Sequence, residues 1–207
     1  MAAITDDLEN FLVNRLLFVT LAASIGLGAM VARVSGAESA QSSPTARATR
    51  GQHDFDFFVG HWRAHHKRLK KWLANSHEWI EFEGTTLTQT ILGGFGNLDD
   101  NVLEAPTGTY RAATLRSFDP KSEEWSIWWL DSRSPKGPLD PPMRGRFHEG
   151  VGTFYADNTL DGKPIRVRFI WSKITPSSCQ WEQAYSLDSG VTWETNWIMN
   201  FTRIAES

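Results

Sequence analysis

The run Trp125-Ser126-Ile127-Trp128-Trp129-Leu130-Asp131-Ser132-Arg133 packs three tryptophans into five residues and closes on an acid and a base. At a period of two, Trp125, Ile127, Trp129, Asp131 and Arg133 share one face. Ser126, Trp128, Leu130 and Ser132 take the other. A strand that is aromatic on both faces gains little from water on either side, which places it at the centre of a sheet.

Strand-like stretches extend outward from this run. Residues 62–72, 78–90, 97–104, 109–118, 143–148, 152–158, 165–172, 179–187 and 192–203 have strand length and alternation, as does 125–131. The segments between them carry turn chemistry: Asp119-Pro120-Lys121-Ser122, Asp157-Asn158, Asp161-Gly162-Lys163-Pro164 and Asp188-Ser189-Gly190. The fold predicted is all-β, a single antiparallel up-and-down β-barrel of about eight to ten strands. Residues 62–72 also read as a basic amphipathic helix with Leu69, Trp72 and Leu73 on one side. The Ala74-Asn75-Ser76 turn and the alternating segment behind it favour a hairpin. One long interruption, 132–142, has no periodicity and carries Pro135, Pro138, Pro141 and Pro142. It is expected to lie across a barrel mouth.

All ten tryptophans and all six histidines lie at or after His53, so the folded domain is assigned to 53–207. Before it, the apolar run from Leu16 to Ala32 leads into the small residues Val34-Ser35-Gly36-Ala37. Residues 1–37 therefore read as a secretory signal, with an N-terminal membrane anchor as the alternative. The protein is expected to be exported, periplasmic or secreted. Asp6, Asp7 and Glu9 precede the first cation, Arg15, and translation starting near Val13 would account for so acidic an opening. Residues 38–52 are small and polar and read as a flexible linker.

Four of the 21 Lys+Arg and four of the 24 Asp+Glu precede residue 53, so the domain keeps the chain's net charge of -3. That balance gives no reason to expect nucleic acid as a partner, or a membrane beyond the export signal. Cys179 is the only cysteine and reads as a small buried apolar residue.

Gly60-His61-Trp62 opens the first strand, and Asn200-Phe201-Thr202-Arg203 ends the last. Here the sequence resembles the lipocalin and calycin superfamily. That resemblance implies barrel closure by Gly60, Trp62 and Arg203, the indole packing against the arginine. A guanidinium on an indole face is a cation–π contact, strongest when desolvated. The segments from Leu92 to Asn101, from Trp128 to Arg133 and from Trp193 to Trp197 are also similar to a bacterial lipocalin-like family of unknown function. That likeness implies a fold and no activity.

Ser186-Leu187-Asp188-Ser189-Gly190-Val191-Thr192-Trp193 matches the Asp-box of sialidase-type propellers. A propeller needs several copies, and a single one describes a turn. Five histidines fall within 53–77. On a strand, His61 and His65 would stand about 13 Å apart, too far to share a zinc, and no metal or other cofactor is predicted. Asn97-x-Asp99-x-Asn101 looks like half a calcium loop, with Val102 where the turn glycine belongs.

Alternation sets the interior. With Trp62 pointing inward, Ala64, His66 and Arg68 follow. With Arg203 inward, Phe201, Met199, Trp197, Thr195 and Trp193 follow. The predicted pocket residues are His66, Arg68, Trp129, Asp131, Arg133, Trp171, Gln183 and Trp197. Mostly apolar walls with a few placed polar groups suit a small organic ligand, partly apolar and anionic, with Arg68 and Arg133 as charge partners. Two other readings fit the same residues. One is acid–base chemistry with His66 and Asp131 as a proton-transfer pair. The other is a solid barrel with a structural role in the envelope.

Overall fold

The computed structural model describes residues 50–205; the predicted signal segment and all but the end of the predicted linker lie outside them. Ten strands follow in order: β1 (Gly60–Leu69), β2 (Trp79–Ile91), β3 (Gly96–Ala105), β4 (Gly108–Asp119) and β5 (Glu124–Asp131). Then come β6 (Met143–His148), β7 (Val151–Leu160), β8 (Lys163–Ser172), β9 (Ser178–Ser186) and β10 (Glu194–Arg203). Each pairs antiparallel with its neighbours in the chain, and β1 closes on β10. This is the predicted up-and-down barrel, at the upper end of the predicted strand count. The run from Trp62 is a strand, not a helix, because Trp62, Ala64 and His66 alternate inward while Arg63 stays in solvent.

One end of the barrel is shut by the segment before β1. A single 3-10 turn, Asp56–Phe58, tucks Phe55 and Phe58 under the strands, each 1% exposed. Phe58 stacks on Trp62 with ring centres 5.3 Å apart. Trp62 donates its indole N–H to the Phe58 carbonyl at 2.8 Å. Arg203 lies over Trp62 at 4.1 Å and donates to the carbonyls of Val59 (2.7 Å), Pro176 (2.8 Å) and Phe57. Arg203 of the last strand thus packs on the Trp62 indole of the first. Gly60 has a purely steric part in it. Its φ is +116°, and a Cβ there would stand 2.7 Å from Arg203 Nη1. Trp125 is tied to the same end by donating to the Gly51 carbonyl at 2.9 Å, so the described end of the predicted linker already belongs to the barrel.

Two expectations about strand faces fail. The outer face of β5, expected to have little to do with water, meets solvent: Leu130 is 47% exposed and Trp128 is half-buried. A closed barrel has one inside, and Trp128 is shielded only in part by its outward neighbours, such as its cross-strand partner Leu115. On β10 the alternation breaks at a bulge, where the register jumps between Thr195 and Trp197. The extra residue, Asn196, is fully buried. Trp193 therefore lands outside, against Tyr155 and 4.5 Å above the Arg168 guanidinium, and does not face the interior as predicted. The single Asp-box is a turn, as read: Asp188 accepts from Thr192 and Val191, and Trp193 folds back to donate to Gly190 at 2.9 Å.

The wall is uneven. β5 meets β6 over only three residue pairs, Trp125 to Ile127 against Gly145 to Met143. Beyond them the proline-rich 132–142 loop leaves the wall, and its Asp140 and Pro141 reach the interior space.

Candidate functional site

The barrel encloses a cavity of about 360 Å³, and all eight predicted pocket residues line it. A space of that size equals roughly a dozen waters, far beyond the voids left by ordinary packing. β8, β9 and β10 give it an aromatic wall. Ile165, Val167, Phe169 and Trp171 point inward from β8, and Trp181, Gln183 and Tyr185 from β9. Trp181 meets Trp197 edge to face at 5.7 Å, and Trp129 approaches Trp197 from across the barrel at 6.4 Å.

The opposite wall is polar, and only its alternation was visible in the sequence. Thr86 on β2 stands opposite Asn101 on β3, and Thr114 on β4 is the diagonal neighbour of Asn101. Thr86 donates to Asn101 Oδ1 at 2.7 Å, and Asn101 donates to Thr114 Oγ1 at 3.2 Å and to the Ala112 carbonyl at 3.1 Å. One step deeper, Arg116 forms a fork on Asp99, with both contacts at 2.7 Å, and its Nη1 also donates to Asn97 Oδ1 at 2.8 Å. Thr88 adds a further hydrogen bond to Asp99 at 2.9 Å. The Arg116 and Asp99 side chains are 3% and 2% exposed, and the guanidinium is ringed by Phe55, Phe58 and Trp171 at 4.9–5.3 Å. Asn97, Asp99 and Asn101 thus lie in the first half of β3 and form no calcium loop. They are the inward face of β3, held by β2 and β4.

His66 lies between the two ends. Its ring stacks on Phe82 at 4.5 Å, and Trp197 Nε1–H donates to its Nδ1 at 3.2 Å. Gly84 makes room for it, since a Cβ there would meet His66 Nε2 at 2.9 Å and the Val102 carbonyl at 2.5 Å. Burial, reinforced by the charges of His65 and Arg68, lowers the His66 pKa to about 3. The imidazole is therefore neutral, with Nδ1 already accepting. Its predicted partner Asp131 is engaged elsewhere, so the structure leaves His66 and Asp131 in separate hydrogen-bond networks.

The mouth belongs to Arg68, Arg133 and their neighbours. Arg68 sits between two indoles, 4.6 Å from Trp72 and 4.6 Å from Trp197. Burial pushes its pKa down, opposed only in part by Tyr110, Tyr185 and Asp131. Among the described residues, no carboxylate pairs with it. Arg133 lies 3.6 Å over the Tyr110 ring and is held by Asp131, whose carboxylate accepts from its Nη2 at 2.6 Å and its Nε at 3.0 Å. These hydrogen bonds hold the Asp131 pKa below the usual carboxylate range. Gln183 donates to Asn196 Oδ1 at 2.9 Å, while the Nδ2 of this buried bulge residue has no partner among the described residues. Trp171 belongs as much to the closed end as to the cavity, meeting Phe58 at 4.7 Å and Phe201 at 5.7 Å. Trp72, Tyr110, Thr86, Asn101 and Thr114 also line the cavity and were not among the pocket residues predicted from the sequence. Among the described residues, no three His, Cys, Asp or Glu side chains gather to hold a metal. The other histidines of the 53–77 cluster scatter; His65, for instance, points outward and bonds Glu83 at 2.7 Å.

No protein-family model matches the chain, and no curated protein sequence matches it.

Proposed function

We propose that this is an exported, lipocalin-like binding protein whose barrel holds a small, partly apolar, anionic molecule. The observation that carries the reading is Arg68. A cation partly withdrawn from water, without a carboxylate, is a costly arrangement unless an anion completes it. It stands at the rim of a space of ligand size. The near-neutral surface and the apolar segment before residue 37 support a soluble domain delivered across a membrane. Acid–base chemistry is supported less well, since His66 is a weak base here with its lone pair in use. A solid structural barrel would have no use for 360 Å³ of interior.

The test is native mass spectrometry of the protein purified from its own host without detergent. A discrete added mass, released on denaturation, is expected and identifies the ligand. A bare mass, with tryptophan fluorescence unchanged by a pooled extract of host metabolites, would overturn the reading.

A further inference from the structure

We propose that the ligand is an amphipathic monocarboxylic acid bound head-out, its carboxylate on Arg68 at the rim and its apolar body among Trp129, Trp181 and Trp197. This deepens the binding reading and rests on it. Two arginines reach the cavity without being tied at its rim, and they differ in what they can accept. Arg116 is closed: both terminal nitrogens are spent on Asp99 and Asn97, and aromatic rings cover the guanidinium. An acid entering head-first would have to break a buried bidentate pair. Arg68 is open, its guanidinium held by two indole faces that leave the donor edge free. A planar carboxylate matches that edge.

The charge count favours a monoanion. Arg133 is committed to Asp131, and Asp140 on the proline-rich loop also reaches the cavity. Among the described residues that line the cavity, one cation lacks a carboxylate partner, so a dianionic phosphate beside Asp131 and Asp140 would have too little compensation. Arg68 and Arg133 also border a second, open groove of about 350 Å³ beside Pro106 and Thr107. A head group on Arg68 keeps water on that side, which limits its desolvation. An apolar body suits the aromatic wall of β8, β9 and β10, and the facing Thr86–Asn101–Thr114 ladder is hydrogen-bonded along its own length.

The probes are dodecanoic acid, dodecanol and dodecylamine, each below its micelle concentration, titrated into delipidated full-length protein. The acid is expected to bind at least tenfold tighter than the alcohol, and the amine weakest. Arg68→Gln should weaken the acid by roughly ten- to a hundredfold and leave the alcohol unchanged. Its melting curve checks the fold. Orientation is read with undecanoic acids brominated at the α or the ω carbon, comparing wild type with Trp72→Phe. Head-out binding predicts that α-bromo quenching shrinks in the variant and ω-bromo quenching does not. The reverse pattern would overturn the orientation. Equal affinity for acid and alcohol would overturn the carboxylate and leave the pocket standing. Failure of all three probes, together with a bare native mass, would sink the binding reading itself.

Discussion

The two ends of this barrel use the same chemistry to opposite purposes. Each has arginines against aromatic rings. At the closed end Arg203 lies on Trp62 and donates to three backbone carbonyls, while Arg116 spends both terminal nitrogens on Asp99 and Asn97 and leaves its buried Nε without a partner among the described residues. At the mouth Arg68 lies between Trp72 and Trp197, and among the described residues no acid pairs with it. An arginine whose terminal nitrogens are spent within the protein is a fastener, and one without such partners in the same kind of setting is a receptor. The difference lies in hydrogen-bond bookkeeping and not in residue type.

If that is right, the largest effect comes from unsatisfying the closed end. Asp99→Ala leaves Arg116 charged, buried and unpaired, and should lower the unfolding free energy by about 3–5 kcal/mol in a denaturant titration. Pairing it with Arg116→Met should recover most of that loss, because an apolar pair restores neutrality. A double variant as unstable as the single one would mean that the cost is lost packing, and the comparison of the two ends would fail.

His66, midway between them, makes the interior sensitive to acid. Its folded pKa lies below the 6.5 of a free imidazole, at about 3. Between those values the unfolded chain takes up a proton that the barrel refuses, so this stability is full above 6.5 and drains away as pH falls toward 3. Going from about pH 7 to about pH 4, wild type should lose about 3 kcal/mol more than His66→Gln in parallel denaturant titrations. Parallel pH profiles for the two proteins would show that the imidazole is not desolvated.

Gly60 sharpens the closed end in smaller measure. Gly60→Ala combines a positive φ with a Cβ 2.7 Å from Arg203 Nη1, whereas Gly108, at φ +123°, has open space around its Cβ. Both should destabilise, Gly60→Ala by roughly 2 kcal/mol and Gly108→Ala by about half that. Equal melting shifts would show that Arg203 yields easily and is a poor fastener.

Alternation made the architecture legible. Ten strands, their turns and the eight inward residues could be read because period two survives wherever backbone pairing is regular. Trp193 was misplaced because one bulge at Asn196 reverses every side chain beyond it, and nothing in Trp193-Glu194-Thr195-Asn196-Trp197 announces an extra residue. The polar wall was in view as Thr86-x-Thr88, Asn97-x-Asp99-x-Asn101 and Thr114-x-Arg116. Each pattern alone looks like a solvent face. What turned them inward was the register that sets Thr86 beside Asn101, and Asp99 beside Thr114 with Arg116 within reach. Cross-strand register is set by the whole barrel and cannot be read from one strand.

The smallest effect concerns Asp131. It shares the mouth with Arg68 and holds Arg133 through four contacts, counting the Arg133 backbone N–H. The Arg133 side chain is 50% exposed, so losing the pair should change stability by less than about 1 kcal/mol. The consequence for an anion runs the other way. Asp131→Asn removes a negative charge from the rim and frees a second guanidinium, so dodecanoate should bind roughly three- to tenfold tighter, measured by calorimetry. The gain should shrink as salt is raised, because the group is partly open to solvent. Weaker binding in the variant would mean that Asp131 holds Arg133 in the orientation an anion needs. The mouth would then be a built pair, as satisfied in its way as the closed end, and Arg68 would not be its sole receptor.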